Sequence, residues 1–231
     1  MAVPRAVCDR DGVLTRDPWG LNERAFAWYY PRLMGMSERA GGAALRARAV
    51  GAALGRTLEI GAGNGYNLPH YTSAVTELVV TEPSPHMVEH LRARLADDAP
   101  PVGSWELVQT GAEQLPFADA SFDTVTAGYV HCTIPHPERA IAEITRVLKP
   151  GGRYLFIEHV RARAGSLLAR AQDVVEPLHV YVAAGCHPNR RTEQLLRESA
   201  LDVEWLEHTS LPMSIPSVRP VILGAARRSA R

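Results

Sequence analysis

Short apolar runs alternate with longer amphipathic stretches along most of this chain, and the two patterns predict different elements. Runs near 57–60, 77–82, 104–109, 123–128 and 153–158 are rich in Val, Ile, Leu and Thr, which predicts strands. Stretches near 84–97, 137–148 and 166–183 repeat their apolar residues at helical spacing. Such alternation predicts a parallel sheet with helices on both faces. Lys149-Pro150-Gly151-Gly152 reads as a turn between a helix and a strand. A helix near 190–200 precedes strands near 202–207 and 219–226, and the connection between those strands is short. A parallel crossover takes about a dozen residues or more, so this pair is expected to be antiparallel. The expected fold is α/β, with seven strands, mostly parallel, and one antiparallel strand. Two further helices, near 22–34 and 38–54, precede the sheet, and residues 1–20 read as irregular. With no internal repeat or long linker, residues 1–231 are expected to form a single domain.

The first strand runs straight into glycines. Leu58-Glu59-Ile60 is followed by Gly61-Ala62-Gly63-Asn64-Gly65, and Glu82 closes the second strand 21 positions after Gly61. Glycines at a strand end allow a tight turn and close approach of a ligand. An acid at the next strand tip is placed to accept hydrogen bonds from ribose hydroxyls. The dinucleotide fingerprint G-x-G-x-x-G would want a small residue where Tyr66 stands, and no G-x-x-x-x-G-K-[ST] loop is present. Ligands in such sheets bind outside the carboxyl ends of the strands, which aligns Gly61, Glu82, Gly111, Gly128 and Glu158 along one edge.

Composition narrows the partners. Formal net charge is zero, so nucleic acid has no basic footprint to bind. Lys149 is the single lysine among 25 basic residues, a composition bias of the whole chain. Three widely spaced cysteines (Cys8, Cys132, Cys186) suit a reducing compartment. No run approaches the roughly 18 apolar residues of a membrane span, and the amino terminus has no signal-peptide core. A cytoplasmic protein without a membrane span is expected.

Longer blocks carry a family resemblance. The E-x-G-x-G-x-G strand and loop, Gly111-Ala112-Glu113-Gln114-Leu115-Pro116-Phe117, Ser121-Phe122-Asp123 and Arg146-Val147-Leu148-Lys149-Pro150-Gly151-Gly152 together resemble the Rossmann-like class I methyltransferases that use S-adenosylmethionine (SAM). Glu158-His159-Val160, Gln172-Asp173-Val174-Val175-Glu176-Pro177, Gly185-Cys186-His187-Pro188-Asn189-Arg190-Arg191-Thr192 and Val218-Arg219-Pro220 resemble the branch that includes animal thiol S-methyltransferases and bacterial relatives. The run Gly65-Tyr66-Asn67-Leu68-Pro69-His70-Tyr71 is also similar to phospholipid N-methyltransferases. The resemblance implies SAM as cofactor and S-adenosylhomocysteine as product, with a helical lid over residues 1–55 and a Rossmann-like core over 56–231. It implies a cofactor site formed by Tyr29, Tyr30, Gly61, Ala62, Gly63, Asn64, Asn67, Glu82, Pro83, Met87, Gly111, Ala112, Glu113, Gly128 and Tyr129. Many relatives have aspartate where Gly111 stands, so Glu113 is the expected acid on the adenine side. The membrane anchor of the animal proteins is not expected here.

Methyl transfer from a sulfonium asks the protein mainly for alignment and exclusion of water. A thiol acceptor must become a thiolate, whereas a phenol or amine wants a base. His131 and His159, after the fourth and fifth strands, are the candidate catalytic bases, because histidine titrates near neutral pH. Hydrogen-bonded burial is the alternative for both. His131, Cys132 and His136, together with Cys186 and His187, bring zinc to mind, but their spacing fits neither a structural nor a catalytic set, so no metal is expected. Trp19, Phe26, Trp28, Tyr29 and Tyr30 form an aromatic group suited to helix packing or to a lid. Trp205, Met213 and Ile215 are candidates for the opposite wall. The expected activity is methyl transfer to a small-molecule acceptor, preferably a thiol. O-, N- or C-methylation of a metabolite, quinone or phospholipid is the alternative within enzymes, and a non-catalytic SAM-binding module the alternative outside them.

Overall fold

The computed structural model describes residues 7–8, 14–15 and 21–230. The sheet has strands β1 (Gly55–Ile60), β2 (Val75–Thr81), β3 (Trp105–Val108), β4 (Phe122–Gly128), β5 (Leu148–His159), β6 (Leu201–Ser210) and β7 (Pro220–Arg228). They lie in the order β3-β2-β1-β4-β5-β7-β6. β7 alone is reversed and pairs antiparallel with both β5 and β6. The seven-stranded, mostly parallel sheet and the reversed strand thus match the sequence reading. Val7–Cys8 and Leu14–Thr15 make a separate two-residue antiparallel pair.

Helices α1 (Leu21–Ser37) and α2 (Ala43–Val50) precede the sheet, joined by a one-turn segment, Glu38–Gly42. The expected break between helices near 35–37 lies instead at Gly41, whose φ of 124° no L side chain adopts readily. Helices α3 (Pro85–Asp97), α4 (Pro137–Val147), α5 (Leu167–Val182) and α6 (Thr192–Arg197) follow in their predicted places, α6 shorter than the 190–200 expected. α3 starts where Ser84 Oγ accepts from the Met87 N–H, with Pro85 at the first helical position. α4 buries Pro137, Ala140, Ile141, Ile144 and Val147, the spacing of one helical stripe. No described helix is long and apolar enough to cross a membrane.

Period-two alternation along the strands builds two cores. Leu58, Ile60, Tyr154 and Phe156 face one layer with α4, while Leu155, Ile157, Leu78 and Val80 face the other with α2 and α3 residues such as Val50 and Leu91. The expected turn at Lys149–Gly152 lies inside β5 as an irregularity. The β4–β5 register shifts between Phe122 and Thr124, and Gly151 takes φ 79°. Extra residues on one strand are accommodated as a bulge, without ending the strand.

Candidate active site

The carboxyl ends of β1, β2 and β4 surround a cavity of about 340 Å³, a size that suits a small cofactor. Gly61, Ala62, Gly63 and Asn64 form one wall, directly after β1. Gly61 has φ 59°, and a Cβ there would overlap Val130 Cγ2. Gly63 has φ 55° but a Cβ there would meet nothing within 4 Å. Gly61 is therefore a packing glycine and Gly63 an open face of the loop.

Glu82 is buried at the tip of β2. Its Oε2 accepts from the Gly63 N–H at 2.8 Å and its Oε1 from the Ser84 N–H at 2.9 Å. Burial raises its pKa, opposed by these two bonds. Each carboxylate oxygen keeps lone-pair capacity for a ligand hydroxyl. Pro83 and Met87 continue this wall, and Gly111, Ala112 and Glu113 close the far side. Glu113 Oε1 accepts from the His136 N–H at 2.8 Å, which orients its side chain.

Gly128, Tyr129, Val130, Thr133, Ile134 and Pro135 form the β4 side, and Tyr30 and Ala184 complete the lining. The structure therefore brings thirteen of the fifteen expected cofactor residues to the lining of one cavity; Tyr29 and Asn67 are the exceptions. The Tyr29 hydroxyl donates to the Val182 carbonyl and ties α1 to α5. Asn67 lies beneath the loop, donating to Glu59 at 3.0 Å and accepting from Arg46 at 2.9 Å. Trp205, Met213 and Ile215 do not line the cavity and are exposed. Trp19 lies outside the described residues, as does the side chain of Phe26.

Arg46 is the main cavity residue that sequence reasoning missed. It is 3% exposed, lines the cavity, and donates to Glu38 Oε1 at 2.8 Å. Its guanidinium lies 4.8 Å from the Tyr129 ring centroid and 5.5 Å from that of Tyr66. A signal existed: Arg46 shares the buried stripe of the alanine-rich helix α2 with Ala49 and Val50. A charge on such a stripe is kept only with partners. Below the loop the chain of contacts continues from Glu59 to the Tyr71 hydroxyl at 2.9 Å and from there to Thr126 at 2.7 Å. Burial pushes Glu59 up to about 7, against the bonds from Tyr71 and Asn67.

Both candidate bases lie off the cavity wall. His131 is fully buried, its Nδ1 3.0 Å from Glu158 Oε1. Glu158, also fully buried, accepts from the Val130 and His131 N–H groups and so braces the β4 loop from behind. His159 is buried with Nε2 3.3 Å from Cys186 Sγ. Of the donors weighed for zinc on spacing, only Cys132 and Cys186 converge, and the third group that joins them is His159. Cys132, His159 and Cys186 place their donor atoms within 4.8 Å of one another. His136 and His187 pair instead with Glu138 and Glu176. The hydrogen bond with Cys186, then burial, holds the Cys132 thiol well above its usual range.

Whether the cavity suits SAM is tested by its unmatched polar atoms. Asn64 Oδ1 and Nδ2 and the Tyr129 hydroxyl are buried without a hydrogen-bond partner in the protein, on residues that line the cavity. Buried polar groups are normally satisfied, so these point to a polar ligand. A cation (Arg46), unpartnered amide and hydroxyl atoms that include the acceptor Asn64 Oδ1, and a carboxylate at the tip of β2 (Glu82) fit the carboxylate, ammonium and hydroxyls of SAM.

A glycine loop and an acid at the carboxyl ends of adjacent parallel strands, in this strand order, define a nucleoside-binding α/β protein of the Rossmann-like class. Residues 58–156 match the methyltransferase domain family. Thiol S-methyltransferase TMT1B of Rattus norvegicus is 31% identical over 169 residues, covering 73% of this chain and 69% of that protein. Phosphatidylethanolamine N-methyltransferase of Cereibacter sphaeroides is 36% identical over 116 residues, 50% of this chain and 56% of its own. A solved SAM-dependent methyltransferase from Thermotoga maritima has the same fold, with TM-score 0.65 and 23% identity over 90% of this chain and 99% of that one. The chain belongs to the SAM-dependent methyltransferases, in the family that includes the thiol S-methyltransferases. It is an enzyme of that class.

Proposed function

We propose that this methyltransferase acts on a small thiol and binds SAM in the cavity at the carboxyl ends of β1, β2 and β4. The observation that carries the thiol reading is the likeness to thiol S-methyltransferases over most of the chain. When bound, SAM supplies an electrophilic methyl group on a sulfonium sulfur. Glu82 accepts hydrogen bonds from the ribose hydroxyls, and the loop from Gly61 to Asn64 flanks the methionine part. Arg46, Tyr30 and Asn64 hold its charged end. Gly111, Ala112 and Glu113 receive the adenine. Val130, Ile134, Pro135 and Ala184 give the acceptor an apolar wall that excludes water, which strengthens every charge interaction inside. Helices α1 and α2, the described part of the lid expected over residues 1–55, cover the core of 56–231 in this reading, which Tyr30 at the cavity wall and the Tyr66 hydroxyl donating to the Pro31 carbonyl at 2.9 Å support.

Transfer of labelled methyl from SAM to a panel of alkyl and aryl thiols tests this reading, with phenols, amines and phosphatidylethanolamine vesicles alongside. Thioether formation at rates well above the other acceptors is expected. A second reading, N-methylation of a phospholipid amine, rests on the likeness to phosphatidylethanolamine N-methyltransferase. Label that enters the vesicle lipid and no thiol would establish that reading and end the first.

A further inference from the structure

Three segments far apart in sequence deliver two sulfurs and an imidazole to one point beside the cavity. Cys132 follows β4, His159 ends β5, and Cys186 sits in the loop after α5. All three are buried, and their donor atoms lie within 4.8 Å of one another. We propose that Cys132, His159 and Cys186 bind a thiophilic divalent cation, zinc by its donor set, whose fourth position takes the sulfur of the acceptor. The second half of this proposal rests on the thiol reading above; the first does not.

The donors suit zinc in kind and spacing. Tetrahedral zinc, with Zn–S about 2.3 Å and Zn–N about 2.0 Å, separates its donors by about 3.5–3.8 Å. The 3.3 Å between Cys186 Sγ and His159 Nε2 is close to that value, and the third donor needs only a small approach. Two thiolates neutralise a divalent ion, so the loaded site carries no net charge into a buried place. Three protein ligands of the type Cys₂His leave one position for a substrate atom.

The loop that carries Cys186 is built in an unusual backbone. Ala184 and Gly185 both have positive φ, 48° and 86°. The His187 N–H donates to the Cys132 carbonyl at 2.9 Å, which fastens the two cysteine loops together, and His187 Nδ1 bonds Glu176 at 2.7 Å. A non-glycine residue held at positive φ costs free energy and persists where the surroundings hold it. The cluster also adjoins the cavity. Cys132 lies between wall residues Val130 and Thr133, Cys186 lies two residues after Ala184, and the His159 ring stacks 6.2 Å from that of Tyr129.

Loading balances simply. The cation displaces one proton from each cysteine to solvent, while His159 Nε2 gives a lone pair and keeps its proton on Nδ1. An acceptor thiol that enters the fourth position releases its own proton to solvent and lies bound as a thiolate, the form that attacks carbon. This supplies the nucleophile although His131 and His159 both lie off the cavity wall.

The full chain, purified with a non-chelating reductant, is assayed for metal by plasma mass spectrometry. Stoichiometric zinc is expected, with loss of metal in Cys132→Ser, Cys186→Ser and His159→Ala at unchanged circular dichroism. Should a variant fail to fold, cobalt titration of metal-stripped wild type serves instead, with a thiolate-to-cobalt charge-transfer band expected. Addition of an alkanethiol without SAM is expected to shift the cobalt visible spectrum, and addition of a phenol is not. Absence of both metal and the cobalt band, or a Cys132–Cys186 disulfide in the freshly isolated protein, overturns the site. A cobalt spectrum indifferent to thiols overturns the acceptor position. Thiol methylation by metal-free protein would overturn the acceptor position and leave the thiol reading standing; bound metal with no thioether product would end the thiol reading and leave the metal site.

Discussion

At the scale of single residues, the glycine loop divides its work between packing and ligand approach. Gly61 and Gly63 share the left-handed backbone, which costs an L side chain about 1–2 kcal/mol. They differ in surroundings. An alanine at 61 collides with Val130, and overpacking adds about 1–3 kcal/mol. An alanine at 63 meets no protein atom and sits on the wall of the cavity. Gly61→Ala is therefore expected to lower the melting temperature clearly. Gly63→Ala is expected to weaken SAM affinity by about tenfold or more while costing less stability. Thermal melts and calorimetric SAM titrations of both variants check this, and equal losses in both measurements would contradict the division.

At the scale of elements, α1 and α2 complete the cavity that the sheet opens. α1 contributes Tyr30 to the wall, and α2 contributes Arg46, which reaches Glu38, Asn67 and the Tyr129 ring. Among the described residues, hydrogen bonds that tie α1 to the core are Tyr66 to Pro31, Tyr29 to Val182 and Ser37 to Pro212. Strands β1–β7 start at Gly55, and the buried residues of both core clusters start at Ala49, with Leu45 packed against the second. Deletion of residues 1–35 is thus expected to leave a folded sheet by circular dichroism and to abolish methyl transfer. Full activity in the shortened chain would remove α1 from the site.

At the scale of the molecule, the site rests on a buried polar chain from Glu38 through Arg46, Asn67, Glu59 and Tyr71 to Thr126. Glu59 gives this chain a pH signature. Its pKa in the fold is about 7 against an ordinary 4.5, so the folded protein holds this proton more tightly than the unfolded chain. Its contribution to stability is full below about pH 4.5 and is lost as pH rises through about 7. Glu59→Gln is expected to remove that decline, so the variant gains on wild type between pH 5 and 8. Urea unfolding of both proteins across that range measures the difference; parallel curves would show that Glu59 does not titrate there.

The sequence by itself determined the strands, the glycine loop, Glu82 and the reversed strand. Each is written in local terms: an apolar period, a backbone that only glycine takes easily, or a connection too short for a crossover. The kink at Gly41 was less legible, because the alanine-rich pattern on either side reads as one continuous helix. Tertiary structure decided the rest. Arg46 becomes a cavity residue only because α2 lies across the loop, and Asn67 a support only because Glu59 is buried beneath it. His131 turns to Glu158, and Cys132, His159 and Cys186 meet, because three strand and helix ends close on one point. Sequence spacing cannot report such convergence, since the distances that matter for charge and coordination run through space and not along the chain.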